Sequence, residues 1–165
     1  MPIRKMTLTA LLIAIGVLSA HLIAIPVGAS RCFPVQSALN ILIAAWLGLS
    51  YSVSSAFLIS TLRVLLGTGS LLAFPGSLFG AFLAGYAYKK TKKIGWAIAG
   101  EVVGTGIIGS LVSVPIATTF LGVPALGAFF FVLPFALSSI GGGIIAWFLY
   151  KTPLTKYISQ SFNSN

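Results

Sequence analysis

The chain contains a single acidic residue, Glu101, which lies within the mostly apolar stretch AIAGEVVGTG (97–106). Two arginines, Arg31 and Arg63, also lie outside the clusters of basic residues in the sequence. An ionisable side chain in apolar surroundings is costly unless it faces a cavity or a partner group. These three residues are therefore the first candidates for a functional site.

The same residues do not indicate catalysis. With one glutamate and no aspartate, the chain cannot supply a carboxylate pair for general acid–base chemistry. It contains no P-loop (G-x-x-x-x-G-K-[ST]), no H-E-x-x-H and no G-x-S-x-G motif. The G-x-G-x-x-G spacing of GTGIIG (104–109) falls inside an apolar segment, and we interpret it as a chance match. We predict that the protein is not an enzyme.

Metal and cofactor sites are not indicated either. The only cysteine, Cys32, cannot form an internal disulfide or a multi-cysteine zinc site. The only histidine, His21, has no second histidine or acidic cluster to complete a metal site. We therefore expect no cofactor and no metal.

The composition is that of a membrane protein. Hydrophobic residues make up 58% of the 165 residues, charged residues make up 7%, and the mean hydropathy is +1.06. Soluble domains carry about 25% charged residues. The net charge of +9 could suggest nucleic-acid binding, but the basic residues are few and border apolar segments. We expect no nucleic-acid partner.

The apolar segments predict an all-α bundle of six membrane-spanning helices in one domain (1–165) of the cell membrane. The predicted spans are about 6–26, 36–49, 51–67, 74–89, 95–118 and 127–150, followed by a tail (151–165). The break at LGLSYS (47–52) is the weakest boundary, since the spans beside it are short.

The basic residues predict the orientation of these spans. With the N-terminus in the cytoplasm, the basic residues at 4–5, in KKTKK (89–93) and in the tail are all cytoplasmic. Cytoplasmic loops of membrane proteins carry an excess of Lys and Arg. The charge pattern therefore favours cytoplasmic N- and C-termini.

Polar and aromatic residues near the outer ends of the second to fourth spans indicate a ligand pocket. Apolar walls with a few placed polar groups are typical of small-molecule sites. The alternative for Arg63 is that its side chain extends to outer lipid headgroups. The candidate binding residues on this side are Arg31, Phe33, Gln36, Asn40, Arg63, Thr68, Ser70 and Phe74.

Glu101 is harder to assign. Counted along its span, it lies about 15 Å below Arg63, too far for a direct ion pair. It could form the floor of the pocket together with Thr105, one turn away. It could instead order the cytoplasmic half of the bundle, or bond Lys93 or a backbone group. The residues leave these alternatives open.

Small residues recur at a spacing of four, as in Ala10/Ala14, Gly76/Gly80, Ala81/Gly85 and Gly100/Gly104. Such spacing lets helix backbones approach closely in a membrane. We expect most of these pairs to pack inside the bundle.

Three strings resemble one known family: RCFPVQSALNILIAAWLG, LLGTGSLLAFPGSLFGAFLAGYAYKKTKK and GEVVGTGIIGSLVSVPIA. They are similar to the ThiW family, the thiazole-specific S components of energy-coupling factor (ECF) transporters. The likeness covers about residues 31–116, and the first and last spans match in character and length.

The resemblance implies a six-helix subunit that captures hydroxyethylthiazole, the thiazole precursor of thiamin, from outside. It also implies docking to a transmembrane coupling protein and a cytosolic ATPase pair, which fits the missing P-loop. S components dock through small residues on the first span. Ala10 and Ala14 match that pattern, whereas the next step, Leu18, does not.

In the implied mechanism, the outer loop closes over a small uncharged heteroaromatic alcohol. Phe33 or Phe74 would stack on the ring. Arg63, Asn40 or Gln36 would bond the ring nitrogen or the hydroxyl. Alternatives are an S component for thiamin, its pyrimidine half or another vitamin, and a channel-like or structural bundle that carries no cargo.

Overall fold

The computed structural model describes residues 2–27, 30–122, 127 and 129–163. The fold is mostly helical (82%), as the composition predicts, with one small hairpin that the sequence did not predict. Its elements are α1 (Pro2–Leu22), β1 (Ile25–Val27), β2 (Ser30–Cys32), α2 (Pro34–Trp46), α3 (Leu49–Leu65), α4 (Ala73–Thr91), α5 (Ile94–Glu101), a π-helical segment (Val102–Gly109), α6 (Ser110–Phe120), α7 (Val132–Tyr150) and α8 (Pro153–Asn163).

In the part of the chain that the structure describes, three helical stretches are long and apolar enough to cross a membrane: 3–20, 94–120 and 132–150. The stretch 94–120 extends the predicted fifth span slightly at both ends, and the stretch 132–150 lies within the predicted sixth span. The sixth span was predicted to start at 127, but α7 begins at Val132, and residues 123–126 and 128 lie outside the described part. The first helix ends at Leu22 rather than at 26.

Helix α2 is the core of the fold. Ten of its 13 residues are buried, and it packs against α1, α3, α4, α5, α7 and α8. A helix that is apolar on all sides is stable when other helices surround it. At about 1.5 Å per residue it is shorter than a hydrocarbon core of about 30 Å. Gly48 separates it from α3 with a φ of 102°, which favours glycine.

The hairpin β1–β2 fixes the start of α2. Its strands pair antiparallel, with Ile25 opposite Cys32 and Pro26 opposite Arg31. The thiol of Cys32 lies 3.1 Å from the carbonyl oxygen of Pro134 in α7. The next backbone N–H, that of Phe33, donates to Ser138 Oγ at 2.5 Å. These two contacts hold the N-terminal end of α2 against α7.

Helix α4 crosses α5 and the π-helical segment at very short range. A Cβ added to Gly104 would meet the backbone of Phe79 and the Cα of Gly80, and one added to Gly109 would lie 2.7 Å from the Cα of Gly76. The predicted packing of Gly76, Gly80 and Gly104 inside the bundle is therefore confirmed, and Gly109 packs in the same way although it was not among the predicted pairs. Ala10 and Ala14, in contrast, are exposed on α1.

The predicted tail contains the helix α8, which packs beneath the bundle. Trp46 Nε1 donates to Thr155 Oγ1 at 3.3 Å. The ammonium of Lys5 lies 5.8 Å from the ring centroid of Phe162. Lys89 and Lys92 line a cavity together with Phe162. Basic residues from two distant parts of the sequence thus meet α8 at the C-terminal end of α2, which we call the basic end.

Candidate ligand-binding cavity

A cavity of about 600 Å³ opens at the N-terminal end of α2, opposite the basic end. Its walls come from β2, α2, α3, the α3–α4 connection, α4, the π-helical segment and α7. This volume is within the usual range of small-molecule sites. The predicted site residues that line it are Arg31, Phe33, Gln36, Asn40, Arg63, Thr68, Ser70 and Thr105.

Arg63 is enclosed by the protein, since its exposed fraction is 2%. Its guanidinium carbon lies 3.7 Å from the ring centroid of Phe33, which is a cation–π contact. Its Nη1 donates a short hydrogen bond to Gln36 Oε1, and Nη2 lies 3.5 Å from the carbonyl oxygen of Thr68. The side chain therefore faces the cavity and does not extend to the surface.

The loop after α3 wraps around Arg63 because two of its N–H groups bond back to that residue. The N–H groups of Thr68 and Gly69 donate to the Arg63 carbonyl at 2.9 and 3.0 Å. Gly67 has a φ of 72° there, which permits the tight reversal. The GTGS sequence thus serves as a helix C-cap that brings Thr68 and Ser70 to the cavity wall.

Hydrogen bonds between side chains connect the polar wall to the rest of the bundle. Gln36 Nε2 donates to Ser60 Oγ at 3.3 Å. Ser60 Oγ lies 2.8 Å from Ser77 Oγ, and Ser77 Oγ donates to the Ala73 carbonyl at 2.8 Å. Both polar atoms of the Gln36 amide are therefore occupied, one by Ser60 and one by Arg63.

Glu101 lies behind the cavity wall, fully buried, and is not a lining residue. Its Oε1 accepts a hydrogen bond from Asn40 Nδ2 at 3.1 Å and lies 3.0 Å from Thr105 Oγ1. Neither Arg63 nor Lys93 bonds it in the described residues. Asn40 was not among the partners that the sequence analysis considered for Glu101.

Aromatic residues of α7 and the segment before it form a wall that the sequence analysis missed. Phe130, Phe131 and Phe135 all line the cavity, with ring centroids 5.2 Å apart for the first pair and 6.1 Å apart for the second. The run FFFVLPF (129–135) was the available signal. Phe74, predicted to stack on a ligand, packs on Phe57 at 5.7 Å and is not a lining residue.

The charge of the cavity wall is positive. Two arginines, Arg31 and Arg63, line it, and no acidic residue does. The described residues contain no group of His, Cys, Asp or Glu that could hold a metal ion. The site combines aromatic faces, neutral polar groups and a fixed guanidinium. Such a wall suits a small aromatic ligand that carries no positive charge.

Comparison with known proteins gives one match. The sequence model of the family ThiW, described as thiamine-precursor transporter protein, matches residues 6–156. Searches of curated proteins and of solved structures returned no match. The family match covers every residue of the cavity wall.

Proposed function

The chain belongs to the ThiW family of thiamine-precursor transporter proteins, and we propose that it is the substrate-capture (S) subunit of an ECF importer. In this proposal it binds hydroxyethylthiazole at the outer face of the cell membrane. A transmembrane coupling protein and a cytosolic ATPase pair drive release to the cytoplasm. The protein itself performs no catalysis.

The observation that carries this proposal is the enclosed Arg63 at the cavity. A guanidinium stacked on Phe33 and bonded to Gln36 is a rigid group whose Nε has no hydrogen-bond partner in the protein. A thiazole ring offers a flat face for the aromatic wall and a lone pair for such a donor. The ligand would therefore complete contacts for which the wall is already arranged.

The charge of the wall favours an uncharged thiazole over thiamin. Thiamin contains a permanently cationic thiazolium ring. Arg31 and Arg63 would repel that cation, and no acidic residue lines the cavity to offset the repulsion. The pyrimidine precursor lacks this permanent charge, so the charge of the wall disfavours it less than thiamin. We expect the order hydroxyethylthiazole, then pyrimidine, then thiamin.

The proposed topology has six spans in a single domain, with both termini in the cytoplasm. It is supported by the concentration of Lys5, Lys89 and Lys92 around α8 at the basic end. It is also supported by the position of the cavity at the other end of α2. Basic residues favour the cytoplasmic side, so the cavity would open outward.

The proposed docking face for the coupling protein is on α1. Ala10 and Ala14 are exposed there, whereas most of the other small residues at this spacing are buried inside the bundle. Leu18, one turn further, is 64% exposed, so the small-residue stripe ends at Ala14. Small exposed residues would let a partner helix approach the α1 backbone.

Isothermal titration calorimetry on the detergent-solubilised protein tests the substrate. Calorimetry is preferable to tryptophan fluorescence because none of Trp46, Trp96 and Trp147 lines the cavity. The titrants are hydroxyethylthiazole, the pyrimidine precursor and thiamin. Saturable binding with the thiazole tightest supports the proposal. A folded sample that binds none of the three refutes the substrate and favours a bundle without cargo.

A further inference from the structure

Among the described residues, three buried side-chain atoms have no hydrogen-bond partner: Asn40 Oδ1, Arg63 Nε and Glu101 Oε2. Leaving a buried polar group unpaired costs about 1–3 kcal/mol. Asn40 and Arg63 both line the cavity, whereas Glu101 does not. A ligand that supplied one donor and one acceptor would pair these two atoms, which are themselves buried but belong to lining residues.

The orientation of the Asn40 amide follows from its neighbours. Its Nδ2 lies 3.3 Å from the Ser77 carbonyl oxygen and 3.1 Å from Glu101 Oε1. A main-chain carbonyl can only accept hydrogen bonds, so the NH₂ group must face Ser77. Rotating the amide by half a turn would bring Oδ1 against that oxygen. The two neighbours therefore leave Oδ1 as the free acceptor.

Glu101 is held in place as firmly as Asn40. Thr105 Oγ1 lies 3.0 Å from its Oε1 and also donates to the Gly76 carbonyl at 2.8 Å. A Cβ added to Gly80 would lie 2.6 Å from Glu101 Oε2, so helix α4 closes the other side. The carboxyl group cannot move away from Asn40 without opening this crossing.

Resting on the proposed function, we infer that Glu101 is a positioning residue that sets the ligand specificity without touching the ligand. It holds Asn40 so that Oδ1 accepts a hydrogen bond from the ligand hydroxyl, while Arg63 Nε donates to the ring nitrogen. The site then selects uncharged heteroaromatic compounds that carry a hydroxyl donor and a ring acceptor.

Three ligands test the need for a donor: hydroxyethylthiazole, its methyl ether and the ethyl analogue without the hydroxyl. The methyl ether keeps the oxygen but has no hydrogen to donate. The ethyl analogue lacks the oxygen and is no larger than hydroxyethylthiazole, so weak binding of this analogue cannot come from steric bulk. Both should bind the wild-type protein at least about tenfold more weakly, because Asn40 Oδ1 stays unpaired. Equal binding of all three overturns this inference but leaves the proposed function standing.

Two substitutions at Glu101 separate positioning from simple packing. Glu101→Gln keeps an oxygen that can accept from Asn40, whereas Glu101→Leu fills similar space without one. Glu101→Gln should keep the preference for the hydroxyl ligand over its ether. Glu101→Leu should lower that preference to within about threefold, since only Ser77 then holds the amide. An undiminished preference in Glu101→Leu refutes the inference.

Asn40→Leu tests the acceptor directly and should abolish the preference as well. Ser55→Ala is the matched control: Ser55 is buried in α3, bonds the Tyr51 carbonyl at 2.7 Å and does not line the cavity. It should keep the preference unchanged. If Glu101→Leu does not fold, Glu101→Ala takes its place, since it also removes the acceptor for Asn40 Nδ2, and an undiminished preference in Glu101→Ala refutes the inference. A folded wild-type protein that binds no thiazole refutes the proposed function and this ligand assignment together.

Discussion

Replacing Gly104 by alanine should destabilise the protein because Gly104 lies where two helix backbones touch. A Cβ at this position would lie 2.7 Å from the Cα of Gly80 and from the carbonyl carbon of Phe79, and closer still to the Phe79 carbonyl oxygen. All three atoms belong to the backbone of α4. A flexible side chain could rotate away, but a helix backbone has to move as a unit.

The size of the effect follows from the required movement. Ordinary van der Waals contact begins at 3.4 Å, so the crossing must open by about 0.7 Å at the two carbons and by more at the Phe79 carbonyl oxygen. Forcing extra volume into a packed core costs about 1–3 kcal/mol. Alanine in a helix interior is itself more favourable than glycine by about 0.5–1 kcal/mol. The measured change is the difference between these two effects.

Gly95→Ala provides the matched control. Gly95 lies in α5, the helix that leads into the same crossing, and a Cβ there would have no neighbour within 4 Å. Thermal unfolding in detergent should give a higher or unchanged Tm for Gly95→Ala and a clearly lower one for Gly104→Ala. Identical Tm values for the two variants would refute the close backbone contact.

Three further predictions concern binding, docking and thiol reactivity. Arg63→Lys should weaken binding of the thiazole about ten- to a hundredfold in calorimetry, because an ammonium cannot stack on a ring and bond Gln36 in the guanidinium geometry; unchanged affinity would contradict this role. Ala14→Phe should leave thiazole binding intact and reduce ATP-driven cellular uptake. The control Ile144→Phe, on the exposed face of α7, should change neither binding nor uptake. Normal uptake in Ala14→Phe would exclude the docking face on α1. Burial raises the pKa of the Cys32 thiol, so less of it is present as thiolate at a given pH. Maleimide labelling at neutral pH should therefore be slow in the folded protein and fast in detergent-denatured protein. Fast labelling of the folded protein would contradict the burial of Cys32.

Helix type and approximate location could be predicted from the sequence because long apolar segments have few structural alternatives in a membrane. The hairpin β1–β2 could not, since its strands are three residues long and carry no alternating pattern. Helix α8 was overlooked because it is short and polar on one face. The hydrogen bond that joins α8 to α2, from Trp46 to Thr155, links residues more than a hundred positions apart.

The polar part of the cavity wall could be predicted from the sequence, whereas its aromatic part could not. Polar residues such as Arg63 and Gln36 are conspicuous in apolar segments, and eight of the ten proposed residues line the cavity. The aromatic wall around Phe131 was missed because phenylalanine is an ordinary lipid-facing residue in such segments. Only the packing of α7 against α2 distinguishes those rings from lipid-facing ones.

The sequence by itself determined the class of protein, the absence of paired carboxylates and the family resemblance. Each of these depends on residue types and local order. Only the tertiary structure decided the environment of Glu101. Its neighbours Asn40 and Gly80 come from helices distant in sequence, and their proximity depends on how closely glycine lets the backbones approach. Contacts of this kind follow from crossing distances between helices, which the spacing of residues along one chain does not specify.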